Sequence, residues 1–378
     1  MSKKIIAAAA SVAAASLLVA ACSSSSSSES SSAAAAPAGS AAASSAAATG
    51  KACVILPDAA SSARWETADR PFLESAFKTA GLEYDIQNAN GDKTKFATIA
   101  DGMIAGGCGV MAIVNLDSPS AAAVIKKASD AGIPVIDYDR LTLGGGAKYY
   151  VSFDNVAVGT AIGSGLVKCL NDGGVTKGNV ALLDGSPTDN NATLFAQGYK
   201  KAVEDAGFTV IDEQAVPDWD NTKAGTVFEQ MYTKDKGNYV GVVAANDGLG
   251  GAVVSVLDRN GQAGKIPTTG QDATNEGLQR VLMGTQCLTV YKAVAKEADA
   301  AAKLMIALLN GDTAAANALA TGSVTDTQAN TQVPSVLLTP QQIFAANVKD
   351  VIADGYTTAD KICTDDALKA ACTKYGVQ

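Results

Sequence analysis

The chain has 378 residues, 47% of them hydrophobic, and a formal net charge of −9. So acidic a chain, with no basic stripe to offset it, repels nucleic-acid phosphates. Its complete lack of histidine removes the usual general base, the commonest metal ligand and every His-dependent catalytic triad.

In chain order, Lys3 and Lys4 open a leader whose apolar run, Ile5 to Ala21, is too short and too alanine-rich for a spanning helix. The run ends in Leu18-Val19-Ala20-Ala21-Cys22, which resembles a bacterial lipobox, the cysteine being acylated as the mature N-terminus. Residues 1–22 are therefore expected to be a lipoprotein signal peptide with Cys22 as its lipidation site. Residues 23–50 are almost entirely Ser, Ala and Gly, with Glu29 the single charge, and cannot bury enough apolar surface to order themselves. They read as a tether. A lipid anchor holds by burying methylenes, so no spanning helix is needed, and the expected place is the extracytoplasmic face of the cell membrane.

From Lys51 onward, long enough for two ordinary domains, strand-like and helix-like stretches alternate. Apolar runs at Cys53–Leu56, Val110–Val114, Pro134–Tyr138, Val180–Leu183, Val240–Ala245 and Leu288–Tyr291 predict strands. Amphipathic stretches at Phe72–Ala80, Ser120–Ala131, Leu194–Ala206 and Val294–Leu309 predict helices, several closed by glycine. Fully apolar strands separated by helices imply parallel sheets covered on both faces. The alternation runs twice, over roughly 51–150 and 179–271, predicting an α/β protein of two doubly wound lobes. Ligands of such sheets bind beyond the carboxyl ends of the strands, so the cleft between lobes is the expected site.

Polar clusters fall where that expectation puts them. Arg64-Trp65 follows the first strand, Asp137 to Arg140 the third apolar run, and Asp154-Asn155 the run Val151–Phe153. Asp184 to Asn191, Asn246-Asp247, Gly270-Gln271-Asp272 and Tyr291-Lys292 follow the later runs. Asp, Asn, Arg and Lys at one cleft suit a hydroxyl-rich ligand, because they donate and accept at each oxygen. The two tryptophans, Trp65 and Trp219, sit in polar sequence rather than apolar runs and are expected to sandwich the apolar face of a sugar ring, one from each lobe. Asp139-Arg140 as a structural ion pair, Lys292 as a solvated lysine and Asn246 or Asp272 as helix caps are the plainer readings of the same residues.

Beyond Cys22 there are six cysteines, an even number that allows fifteen connectivities in an exported chain. Cys53 and Cys108 start predicted neighbouring strands, Cys363 and Cys372 would close a short loop, and Cys169 with Cys287 remains by elimination.

These residues resemble the type I periplasmic sugar-binding proteins, in their xylose-binding and multiple-sugar-binding branch. The resemblance spans 52–311 and rests on Tyr138-Asp139-Arg140, VSFDNVAVG from Val151, GSPTDNNA from Gly185, Asn246-Asp247, GQDA from Gly270 and GTQCLTVYK from Gly284. It implies two Rossmann-like lobes joined by a three-crossover hinge. The first lobe would take 51–153 and 289–335, the second 154–288 and 336–378. It implies that Arg64, Asp139, Arg140, Asn190, Asn191, Asn246, Asp272 and Lys292 hydrogen-bond a monosaccharide between Trp65 and Trp219, with Asn155 serving the hinge. No cofactor is implied. The expected partner is an ABC importer's permease, the expected sugar an aldose pyranose (xylose first, then glucose, galactose or arabinose), and the expected state a monomer. Cys287 and the tail beyond Ile343 depart from the pattern.

Two rivals differ in class. A glycosidase would draw a carboxylate pair from Asp139, Asp247 and Asp272. A sugar-responsive regulator would need a helix-turn-helix where this chain has its leader. A receptor presenting bound sugar to a chemoreceptor or kinase shares every pocket feature.

Overall fold

The structure is a computed structural model that describes residues 50–378. The leader, Cys22 and the tether up to Thr49 lie outside the described residues. Among the described residues, twelve strands form sheets of seven, three and two strands. The first lobe uses β1 (Lys51–Leu56), β2 (Tyr84–Asn88), β3 (Cys108–Ile113), β4 (Val135–Tyr138) and β5 (Tyr149–Phe153), all parallel, in the order β2-β1-β3-β4-β5. The second repeats this winding with β6 (Asn179–Asp184), β7 (Thr209–Ala215) and β8 (Gly241–Ala244) in the order β7-β6-β8. Bridges from Val242 to Thr268 and from Gln271 to Val290 extend it to β9 (Thr289–Tyr291).

The first sheet is then completed by chain returning from the second lobe. In it β10 (Gly322–Asp326) pairs antiparallel with β11 (Thr331–Leu338), which runs parallel to β5, while β12 (Gln341–Ile343) pairs with β9. These pairings move two of the expected lobe boundaries. β9 pairs with β12 and bridges to Gln271 of the second lobe, so the return crossing falls after Tyr291 rather than before Thr289. β11 stays with β5 as far as Leu338, so the last crossing is at Thr339-Pro340 rather than after Ser335. Both shifts arise because strand pairing carries on to the end of each apolar run.

Alternation along β1 shows why the first sheet is covered twice. Ala52, Val54 and Leu56 face a core with Leu73, Phe77 and the helix Val294–Leu309, while Cys53 and Ile55 face one with Phe96, Val124 and Ile125. Each Val, Leu, Ile or Phe among them contributes ~1.5–3 kcal/mol on burial. Two of the helices that lead into the cleft begin at carboxylates. Asp154 accepts from the Ala157 amide at the start of Asn155–Asp172, and Asp189 accepts from the Asn191 amide at the start of Asn190–Asp205. The disulfides are Cys53–Cys108, Cys169–Cys287 and Cys363–Cys372, the three pairs expected. The first joins adjacent strands, the second ties the helix Asn155–Asp172 to the chain entering β9, and the third staples the C-terminal tail. No described helix is long and apolar enough to cross a membrane.

Candidate functional site

The carboxyl ends of the strands of both sheets meet at one buried cavity. A small cavity of about 20 Å³, continuous with solvent, lies among Ser61, Ser62, Arg64, Trp65, Asp139 and Arg140 of the first lobe, Asp189, Asn191, Phe195, Trp219, Asn246, Gln271 and Asp272 of the second, and Lys292 at the crossing. Outward it continues, past Ser61, Arg140, Asp189 and Trp219, into a wider mouth of about 550 Å³. Of the residues expected to bind ligand, all but Asn190 line the cavity. Asn190 opens its helix half-buried, and the neighbouring Asn191 turns inward instead, because Asp189 caps the helix one residue earlier.

Arg64 is wholly buried and organises the first-lobe wall. Its Nε and one Nη2 hydrogen go to Asp69 (2.8 and 2.7 Å), the other Nη2 hydrogen to Glu297 (2.8 Å) and one Nη1 hydrogen to Asp139 (2.9 Å). Four of its five N–H donors are thus committed to carboxylates, which leaves one for a ligand. Tyr138 donates to Asp69 from beneath (2.8 Å). Burial pushes the Glu297 carboxyl well above the usual range, with Arg64 opposing, and its Oε1 is buried without a partner among the described residues.

Asp139 follows β4 at φ 61°, a left-handed conformation costing ~1–2 kcal/mol for a residue with a Cβ. Three donors hold its carbonyl in place, namely Tyr150 Oη (2.9 Å), Ser152 Oγ (2.8 Å) and Asn191 Nδ2 (2.8 Å). Burial alone would raise its carboxyl, but the charges of Lys292, Arg64 and Arg140 outweigh that and hold it well below the usual carboxylate range. Asp139 therefore stays an acceptor. Lys292 is 5% exposed, and its Nζ stands 3.4 Å from both Asp139 Oδ2 and Asp272 Oδ1. Those contacts are long for an ammonium, which can bring three donors closer to a ligand oxygen.

The second lobe faces this wall with shorter polar groups. Asn246 caps the helix Asp247–Arg259 through Oδ1 and donates from Nδ2 to the Ser61 carbonyl (3.2 Å), so the plain capping role and the cleft role coincide. Asp272 accepts from Ser62 Oγ (2.9 Å) and Gln271 Nε2 (3.1 Å). It caps no helix; Thr274 does, accepting from the Gly277 amide. Asp247 lies behind the wall, taking Gln286 Nε2 and the Thr274 amide at 2.8 Å, in space that a Cβ on Gly270 would fill. Burial pushes Asp247 up to about 6, yet it does not line the cavity, so the most acid-like carboxyl of the glycosidase reading is out of a ligand's reach.

Both tryptophans line the cavity, and both are also core residues. Trp65, 2% exposed, has the Arg64 and Arg140 guanidinium carbons 4.5 and 5.5 Å from its ring centroid. Trp219 lies against Gly185, where any Cβ would collide with the indole, and meets the edge of Phe195 at 6.4 Å. Its Nε1 donates to Asp189 (3.0 Å). Asn155 does not line the cavity. It sits at the first crossing, donating to Tyr150 Oη (3.0 Å) in one lobe and Asn191 Oδ1 (2.9 Å) in the other.

Sequence reasoning missed Ser61, Ser62, Asp189, Phe195 and Gln271 as cavity residues. Asp189 and Gln271 stood inside motifs already singled out. Phe195 falls in a helical apolar stripe, indistinguishable by spacing from core.

Residues 53–313 match the periplasmic binding protein domain. The chain is 34% identical to the D-xylose-binding periplasmic protein of Escherichia coli (strain K12), over 78% of this chain and 87% of that one. It is 31% identical to the multiple sugar-binding periplasmic receptor ChvE of Rhizobium radiobacter, over 83% and 92%. Among solved structures, a carbohydrate transporter solute-binding protein from Chloroflexus aurantiacus in complex with D-glucose superposes with a TM-score of 0.73 at 26% identity. That match covers 82% of this chain and 97% of the other. The two doubly wound lobes, the three crossings and the matched length of sequence agree: this chain belongs to the periplasmic binding protein family.

Proposed function

We propose that this protein captures a neutral monosaccharide outside the cytoplasm and delivers it to the permease of an ABC importer. The observation that carries this reading is the cavity itself, in which both lobes set hydroxyl-matching side chains around one small cleft. Asp139, Asp189 and Asp272 stand against Arg64, Arg140 and Lys292, each carboxylate already within reach of a cation or a neutral donor. A balanced set of this kind suits a neutral polyol better than a sugar acid or an amino sugar, whose extra charge would be buried without a partner.

In this reading Asp139, Asp272 and Asn191 accept from hydroxyls or the ring substituents, while Arg140, Asn246, Lys292 and the remaining Arg64 hydrogen donate. Trp65 and Trp219 wall the apolar ring faces, and Asn155 serves the first hinge crossing. A sugar lacking one matched hydroxyl would strand a buried polar group at ~1–3 kcal/mol, which is how such a pocket discriminates. The relatives named for D-xylose and for multiple sugars, and the neighbour bound to D-glucose, support an aldose pyranose with xylose first. Closure follows because a ligand touching both lobes stabilises the closed arrangement alone. Acylation of Cys22 would tie the receptor to the membrane, and it would act as a monomer.

A thermal-shift panel of aldopentoses and aldohexoses at millimolar concentration tests this. One or a few pyranoses should raise the unfolding midpoint by mass action, and polyols of unrelated stereochemistry should not. A flat panel would count against a monosaccharide ligand.

A further inference from the structure

Asp272 and the residue after it both sit at positive φ, 94° and 50°, a run that residues with a Cβ do not hold unaided. Two of the groups holding it come from its own lobe. The Asp272 amide donates to the Val290 carbonyl (2.9 Å), and the Ala273 amide donates to Thr289 Oγ1 (3.1 Å). The third comes from the far end of the chain, where Tyr356 Oη donates to the Asp272 carbonyl (2.9 Å).

Tyr356 belongs to a tail built of the short helices Val348–Ala353, Ala359–Ile362 and Asp366–Tyr375, the last stapled by Cys363–Cys372. The tail is not loosely attached. Val348, Val351, Ile362 and Cys372 share a core with Ala273, Leu278, Leu282 and Tyr291, so its apolar side packs on the segment between Asp272 and Lys292. Tyr356 itself is fixed on two sides. Its ring meets Tyr291 edge-on at 5.2 Å, and the next residue, Thr357, donates to Asn275 Oδ1 (2.7 Å). Tyr291 in turn donates to Asp354 (2.7 Å), two residues before Tyr356.

We propose that Tyr356 is a positioning residue for the ligand site, which sets the Asp272 carboxylate between Ser62, Gln271 and Lys292 by holding its strained backbone from behind. The tail then acts as part of the specificity apparatus although none of it lines the cavity. This rests on the reading of Asp272 as a sugar-binding residue.

The test titrates the wild-type protein, Tyr356→Phe, Asp272→Asn and the double variant with a responsive aldose and its deoxy analogues. Phenylalanine keeps the ring packing and removes one hydrogen bond, so the fold is retained and the thermal midpoint reports it. Tyr356→Phe should weaken the parent sugar roughly three- to tenfold. It should cost nothing for the deoxy analogue that Asp272→Asn also leaves unaffected, and its loss should vanish in the Asp272→Asn background. Wild-type affinity in Tyr356→Phe, equal weakening of every analogue, or losses that add in the double variant would each overturn the proposal. If Asp272→Asn binds every sugar as the wild type does, the reading of Asp272 fails, and the positioning role falls with it.

Discussion

Arg140 and Asp189 meet across the cleft, Nε to Oδ2 at 3.0 Å, one following β4 in the first lobe and the other capping a helix in the second. Both are nearly buried, and Asp189 also takes the Trp219 indole hydrogen on the same oxygen. The pair exists only while the lobes are together, so its energy belongs to the closed arrangement. Asp189→Asn keeps the helix cap and removes the charge. Truncating one partner of a buried charge pair costs about 2–5 kcal/mol, expressed mainly in the off-rate. Stopped-flow release of bound sugar should therefore quicken at least tenfold, with the association rate nearly unchanged; an unchanged release rate would mean the pair does not hold closure.

Arg64 is expected to matter for stability before it matters for binding. Replacing it with methionine leaves Asp69, Asp139 and Glu297 buried around a missing cation, a loss of about 3–5 kcal/mol. Chemical denaturation of Arg64→Met should show that loss without ligand present. A variant as stable as the wild type would show that protons on the carboxylates compensate for the lost charge.

Stability should fall as pH rises from about 4 to about 7. Burial, only partly opposed by hydrogen bonds from Thr142, pushes Asp137 up to about 7, and burial also pushes Asp184 and Asp247 up to about 6. Across that window the folded state keeps protons that the unfolded chain has released, so unfolding becomes easier with each added pH unit. For Asp137 alone the effect is at most about 4 kcal/mol, reached by neutral pH. Asp139 acts in the opposite sense, its lowered value stabilising the fold above the unfolded pKa and losing that contribution below it. Melting curves from pH 4.5 to 8 should show a midpoint that declines and then levels, with a shallower decline in Asp137→Asn. A midpoint rising over the same range would contradict the assignment.

The disulfides should contribute unequally. Cys169–Cys287 closes a separation of 118 residues and Cys363–Cys372 one of 9. Loop entropy then assigns about 4–5 kcal/mol to the first and about 2–3 kcal/mol to the second. Paired serine variants compared by denaturation check the order; a larger loss from the short loop would point to the tail's packing rather than to chain entropy.

Much of the fold could be read from sequence because buried parallel strands are written as apolar runs. All six predicted strands appear, and Val294–Leu309 is helical over its full predicted length. What escaped were the returning strands, the internal β11 among them, and the edges. Tyr84–Asn88 and Thr209–Ala215 pair on one side only, so half their residues are polar and no apolar run marks them. The site was legible where charge followed a strand, as at Asp139-Arg140 and Lys292. It was obscured where one residue serves two purposes. Asp189 caps a helix as well as lining the cavity, Phe195 lies in a core stripe, and Tyr356 lies in a tail that follows none of the apolar runs, while Asn190 and Asn191 differ only in helical phase.

The proposed function requires one neutral aldose to be held by groups from both lobes at once. Calorimetric titration of the purified protein, with tryptophan fluorescence followed in parallel, tests it most directly. One-to-one binding of a pyranose at micromolar affinity or tighter is expected, with a change in indole emission from Trp65 and Trp219. That binding should be lost when either Asp139 of the first lobe or Asp272 of the second is replaced by alanine. A folded protein that binds no aldose, or that binds one equally well after either replacement, would contradict it.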